Sequence, residues 1–563
     1  MMWQSIRSAL ALLAIGAVAA CSGAESGAPV STHSTSALPQ TVRITFRILI
    51  PSAMPAAAGT THRQYVSAGT ESITVNDQSY NTSASSPGCS STSAGLMCSL
   101  AVLAPAGTNV PFTVTAYAGP LGSNGLPTGA TLSVGSTTAT IVAGTANVVE
   151  VTLAGTPATV TLTLANPAPP MGTAATIPMT VTAADAAGYS IVGPYSSAIQ
   201  ITTNALSGLS YVVDGQSTQT ALLTSSSDTI SLAYTGTGFR TATIQANLQF
   251  AASGTYIGSA TLTPTPGFGT ELSVGTSLVN ASAFRDSSSE RRTWFSEPAK
   301  GKLAMYPSGG SITEYATPSG SSPLRITGTA LNIYFTESNN YVGLYYQLSG
   351  SIMEQALTTA NAGAYEVYPE PQSVYMYVTE ENTGGVAYDG STPNTLFSTG
   401  ASPSTPAGIA FASSTTFWVA DPAANTVDLM TTAGGFTSYQ VPSANAEPTE
   451  ITQNDETSNG GHWWFTEPGV SKIASLDQNG NIVEYPSPGV PVAIVATQTD
   501  IWVLTTAHLL EDFNPANGAL YGTYTPPSSS NGNAVWIDDG GFGDLIVLRS
   551  NGTQGSIQEL YYD

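Results

Sequence analysis

A short strand motif recurs through the second half of this chain. It reads Trp294-Phe295-Ser296-Glu297, Tyr334-Phe335-Thr336-Glu337, Tyr377-Val378-Thr379-Glu380, Trp418-Val419-Ala420-Asp421, Trp464-Phe465-Thr466-Glu467 and Trp502-Val503-Leu504-Thr505. A degenerate copy follows at Leu545-Ile546-Val547-Leu548. Successive copies start 40, 43, 41, 46, 38 and 43 residues apart. A period of roughly 42 residues is the length of one four-stranded propeller blade. A unit this small cannot bury its own apolar face, so its copies must pack on one another.

The order within each unit is constant. A Pro-led strand comes first, as in SPLRITG, TPAGIAF, EPTEITQ and VPVAIVA. The aromatic-acid strand is second, and a strand such as SKIASLD is third. The fourth is the strand Ile482-Val483-Glu484-Tyr485-Pro486 and its counterparts. The final SIQELYYD matches a third strand, and GTELSVG (Gly269–Gly275) before the first unit reads as an orphan fourth strand. Pairing the two would close the ring and remove two open sheet edges.

Upstream, period-two alternation marks half-buried strands. In TVRITFRILIP, Val42, Ile44, Phe46 and Ile48 share one face. ESITVND, CSLAVLA, PFTVTAYAG, TTATIVA and NVVEVTL continue the pattern, with turn residues between them. A second set runs from TVTLTL (Thr159–Leu164) through PMTVTAAD, SSAIQITTN, LSYVVDG, DTISLAYTG and RTATIQANL. The expected fold is all-β, with two immunoglobulin-like β-sandwich modules (42–155 and 156–265) followed by a seven-bladed β-propeller (266–563).

The best-preserved units are WFSEPAKGKLAMYPSGGSITEYATPSG from Trp294 and WFTEPGVSKIASLDQNGNIVEYPSPG from Trp464. They resemble the blades of the streptogramin (virginiamycin B) lyase family, over about 266–563. The resemblance implies a seven-bladed propeller. It also implies an elimination that opens a cyclic depsipeptide with a divalent metal assisting, which needs a base and a polarised ester oxygen. The family's catalytic histidines follow the Pro of the first strand, in P-H-G-I or P-H-A-I. The corresponding residues here are Leu324, Ala407, Thr449 and Val492, none of them a base. The propeller's histidines, His462 and His508, lie elsewhere in their units. This departure points away from the family's reaction.

Glu297, Glu337, Glu380, Asp421 and Glu467 are candidate binding residues with two readings. They form a ring of carboxylates able to hold a cation at one rim. Alternatively, each ends its strand by pairing with turn amides, or with Lys302 and Lys472 where a Lys exists. The repeat aromatics read as packing between strands, with a sugar-stacking role for an exposed one such as Trp463 or Trp536. No nucleophile elbow, zinc-helix, Cys-x-x-Cys or phosphate-loop pattern occurs.

The N-terminus reads as a lipoprotein signal peptide (1–20). Arg7 precedes the apolar run Ala9–Ala19, and Val18-Ala19-Ala20-Cys21 resembles a bacterial lipobox. Cys21 is then the lipidated residue, and 21–41 is a Ser/Ala/Gly/Pro-rich tether. Cys89 and Cys98 are expected to form a disulfide in an oxidising compartment. From Gly267 onward there are 29 acidic and 8 basic residues, a balance of −21. Such a surface does not suit nucleic acid.

The expected protein is therefore an exported lipoprotein on the outer membrane or cell surface. Its acidic propeller binds a glycan, a peptide or another envelope protein, and carries no catalytic residue and no required cofactor. The alternative is a metal-assisted lyase with a rearranged site.

Overall fold

The computed structural model describes residues 41–52, 65–205, 207–249, 255–286, 291–307, 310–329, 331–370, 373–390, 394–454, 462–497, 499–541 and 543–562. The signal segment, Cys21 and most of the tether lie outside the described residues. The fold is all-β, with two short 3-10 turns at Pro298–Lys300 and Pro468–Val470. Among the described residues, no helix is long and apolar enough to cross a membrane.

The alternating segments are strands. Thr41–Pro51 buries Ile44, Phe46, Ile48 and Ile50 and exposes the residues between them. It pairs with Gly95–Pro105 and faces Gly107–Tyr117, where Phe112 sits 5.4 Å from Phe46, ring to ring. Cys89 and Cys98 lie opposite each other on adjacent strands and form a disulfide. A second apolar core gathers Val160, Leu162, Tyr211, Leu232 and Ile244.

The two upstream cores share a sheet. Ala154–Gly155 pairs antiparallel with Thr131–Ile141 and parallel with Pro194–Thr203. The expected strand NVVEVTL does not form. Its residues lie outside the strands, although Leu153 is buried and its carbonyl accepts from the Tyr65 N–H. Val149 and Val151 still pack against the first upstream core, and the strand Thr131–Ile141 is paired on its far side by Ala154–Gly155 alone.

Six four-stranded antiparallel sheets follow in chain order, their second strands at Arg292–Glu297, Asn332–Glu337, Met376–Glu380, Thr416–Asp421, His462–Glu467 and Ile501–Thr505. The seventh joins Asn533–Asp539, Asp544–Ser550 and Gly555–Tyr561 to two short pieces of chain that precede the first sheet. Gly267 pairs with Tyr561, Phe268 with Leu560 and Leu272 with Ile557. First strands touch those of neighbouring sheets all the way round, and the seventh touches the first.

The geometry explains why the aromatic and the Glu-Tyr motifs recur together. Trp294, Trp418, Trp464 and Trp502 are buried and pack on Tyr315, Tyr439, Tyr485 and Tyr524 of their own fourth strands, at 5.5, 5.3, 5.4 and 5.6 Å. Trp294 also meets Tyr345 of the next sheet, and Trp418 meets Trp463. Offset and tilted ring pairs of this kind add about 0.5–1.5 kcal/mol each beyond area burial.

The seam between the seventh and first sheets is charged instead. Arg285 donates to Asp544 at 2.9 Å and to Glu559 at 2.7 Å, and Arg291 donates to Asp544 at 2.6 Å. The second upstream module meets the ring through Arg240, which pairs with Asp500 and lies 3.5 Å above the Tyr521 ring. Gly172, at φ +73°, lies against the face of Tyr561, where a Cβ would clash.

Candidate functional site at the ring axis

Antiparallel pairing puts the start of each first strand beside the end of each second strand, as Pro323 lies beside Glu337 and Pro491 beside Thr505. All five candidate acids therefore lie at one rim. Each is almost fully buried.

Asp421 accepts from Ser404 Oγ at 2.5 Å and from the Thr405 N–H at 2.9 Å, in the loop entering its own sheet. Glu337 accepts from Ser319 in the equivalent loop at 3.3 Å, and Glu380 from Thr383 at 2.8 Å. Glu297 is paired with Lys300 at 3.1 Å. In the sixth sheet the second strand ends in Thr505, and Glu511 of the third strand takes over, accepting from Ser487 at 2.6 Å and the Gly489 N–H at 2.8 Å. Among the described residues, neither oxygen of Glu467 has a hydrogen-bond partner. Burial pushes its pKa up to about 8, with Glu484 adding to the rise and Lys472 opposing it. Lys302 and Lys472, expected to pair with Glu297 and Glu467, bond instead to Glu314 and Glu484.

Trp463 is also buried. It packs against Trp418, and its indole N–H donates to the Phe411 carbonyl at 2.7 Å. This corrects the expectation of an exposed ring there, because alternate side chains of that strand face into adjoining cores.

A cavity of about 550 Å³ opens at the same rim, on the axis. None of the five acids lines it. Its walls come from first-strand residues Leu324, Arg325, Tyr365, Val492 and Trp536, and from the loop residues Glu381 and His508. Two of the residues that follow a first-strand Pro, Leu324 and Val492, lie on this wall. Thr449 donates to the Glu447 carbonyl, and Ala407 is buried. His508 has φ +61°, and its Nδ1 lies 2.8 Å from the Ala534 carbonyl. His462 is at the outer end of its strand, opposite Asp477 and away from this rim.

A polar tie crosses the cavity wall, because Arg325 and Tyr365 both line it. Arg325 Nη2 donates to Glu450 at 2.6 Å and to the Tyr365 hydroxyl at 2.9 Å, and that hydroxyl donates to Glu450. The guanidinium carbon lies 4.0 Å from the Trp536 ring centre and 4.8 Å from that of Tyr365. Burial opposes the charge of Arg325, but Glu450, Tyr365 and Glu366 outweigh it and raise its pKa. Burial raises Tyr365 as well, with Glu450 adding to the effect. Glu366 is pushed up to about 8, chiefly by burial, with Arg325 opposing and Glu450 reinforcing. The Glu381 pKa is raised by burial and lowered by Arg325.

Inspection of the residue directly after each proline overlooks this network. Arg325 and Glu450 occupy the next position, where TPAGIAF has Gly408. The signal was a charge inside a strand expected to pack: Arg in SPLRITG and Glu in EPTEITQ.

A general base at the former histidine positions is missing. Among the described residues, no three His, Cys, Asp or Glu side chains gather as a metal site. Glu450 is engaged by Arg325, which leaves Glu381 as the one unpaired acid on the described wall, too few ligands for the divalent ion of the resembled reaction.

The model of the virginiamycin B lyase family matches residues 268–510. Among solved structures, the chain is similar to a selenomethionine-substituted virginiamycin B lyase from Staphylococcus aureus. The identity is 21% and the TM-score 0.46, with 53% of this chain and 100% of the other covered. A catalytically inactive histidine-to-alanine form of the S. aureus enzyme with quinupristin matches at 21% identity and a TM-score of 0.47, over the same shares of the two chains. A streptogramin B lyase structure matches at 23% and 0.45, covering 52% of this chain and 97% of that one. No curated protein sequence matches. Residues 268–510 are thus similar to this family.

Proposed function

We propose that residues 266–563 form a seven-bladed β-propeller that acts as a non-catalytic binding module. Two sandwich modules of immunoglobulin-like kind carry it, and a lipid on Cys21 anchors it to the exported side of a membrane. Its partner is a glycan, a peptide or another envelope protein, held in the axial cavity. The observation that carries this reading is the cavity itself. It combines an apolar wall with a few placed polar groups, as ligand sites do, while Leu324 and Val492 stand where a base is needed.

The competing reading is a metal-assisted lyase with a rearranged site. The family-model match favours it, as does the presence of His508 and Glu381 on the cavity wall. The test is incubation of the purified chain with quinupristin and magnesium or manganese, followed by mass spectrometry. Unchanged quinupristin is the expected result. Linear product that disappears on chelation overturns the binding reading. Radiolabelled fatty-acid incorporation, lost in Cys21→Ser, is the expected result for the anchor.

A further inference from the structure

The charges around the axial cavity do not cancel. Arg325 is matched by Glu450 at 2.6 Å and lies against Trp536, so its charge is already answered. Glu366 belongs to the same buried group beside Arg325 and Glu450. Glu381 is different. It lines the cavity and is partly exposed, and its backbone N–H is used by the Gly363 carbonyl. Among the described residues, its carboxylate has no hydrogen bond or ion pair.

Resting on the binding reading above, we infer that the axial cavity takes a ligand with a protonated amine. The amine sits against Glu381, and an apolar body lies along Leu324, Val492 and Val535. Three observations favour a cation over an anion. The free charged group on the wall is a carboxylate. Among the described residues, the only guanidinium there is paired. The chain from Gly267 onward carries 29 acids against 8 bases, so its field concentrates cations at a cleft. The apolar wall supplies the remaining affinity, because burying aliphatic surface contributes about 25 cal/mol per Å².

The test uses three probes of similar shape: phenethylamine, phenethyl alcohol and phenylacetate. Binding to the full chain is read by saturation-transfer NMR and calorimetry at low salt. Phenethylamine is expected to bind about tenfold more tightly than phenylacetate, a margin that shrinks as salt screens the pair. Glu381→Gln is expected to abolish the preference and leave the alcohol unchanged, with the melting temperature intact. Val492→Trp, at an exposed wall position, is expected to remove binding of all three. If the three probes bind alike, and Val492→Trp blocks them, the amine inference fails and the binding cavity stands. If Glu381→Gln keeps the preference, the inference also fails. If the wild-type chain binds none of the probes, both the amine assignment and the apolar wall as its seat are overturned.

Discussion

The first and fifth sheets have nearly the same sequence, yet they treat the same buried acid differently. Trp294-Phe295-Ser296-Glu297-Pro298-Ala299-Lys300 aligns with Trp464-Phe465-Thr466-Glu467-Pro468-Gly469-Val470. Both runs end in a 3-10 turn. In the first sheet that turn delivers Lys300 to Glu297 at 3.1 Å. In the fifth it delivers Val470, and Glu467 has no partner for either oxygen. Burial raises the pKa of both acids, and only at Glu297 does the turn supply a lysine within hydrogen-bond reach to oppose the rise. The rest of the unit tolerates both, because the aromatic stack of Trp on Tyr supports each sheet independently of the acid.

Four measurements test this contrast. The largest effect belongs to what the two sheets share. Trp294→Ala and Trp464→Ala are each expected to cost about 3–5 kcal/mol in urea unfolding. Unequal losses would mean that the stacks are not equivalent.

Next comes Lys300→Met, which strands Glu297 in the core. The salt bridge is partly solvated, so the expected cost is about 1–3 kcal/mol rather than the full value for a buried pair. Lys302→Met, which faces the exposed Glu314, should cost less than about 1 kcal/mol. Equal losses from these two lysines would contradict the assignment of Lys300 to Glu297.

The third measurement is pH dependence. The folded-state pKa of Glu467 is raised from 4.5 to about 8. Between these values the folded chain holds a proton that the unfolded chain has released. Stability from this group is therefore present below about pH 4.5 and falls as pH rises through about 8, at up to about 1.4 kcal/mol per pH unit. Glu467→Gln should remove that slope and raise the melting temperature at pH 8. An unchanged pH profile would show that Glu467 does not titrate as described.

The smallest effect is Val470→Lys, which copies the first sheet into the fifth. It should lower the Glu467 pKa and recover about 1 kcal/mol at pH 8. Carboxyl NMR titration would read the shift directly.

The repeat made most of the ring legible before any coordinates. Strand order, the pairing of the region before the first unit with the final strand, and the burial of Trp294 and Trp464 all follow from copies of one pattern. Repetition reveals only what the units share. The axial network is built where they differ: Arg325, Tyr365, Glu450 and Trp536 come from four first strands with four different side chains. Comparing units therefore drew attention to Glu337 and Asp421, which bond loop groups, and away from the cavity wall. Upstream, alternation identified Thr41–Pro51 and Thr159–Leu164. It failed at NVVEVTL, where Val149 and Val151 pack on the core without joining a ladder.

The pairing of Gly267 with Tyr561 joins residues nearly three hundred positions apart. Each of the other six sheets assembles from neighbouring hairpins and can form as soon as its own stretch of chain is available. The seventh has to wait for both ends of the ring. Loop closure over that distance adds little to the equilibrium cost but delays the event. During synthesis, the early sheets therefore form an open arc while Gly267–Ser273 waits for its partner strand. The charged seam of Arg285, Arg291, Asp544 and Glu559 would then act as a late latch. Charges at the waiting ends also discourage two arcs from joining to each other through bare apolar edges.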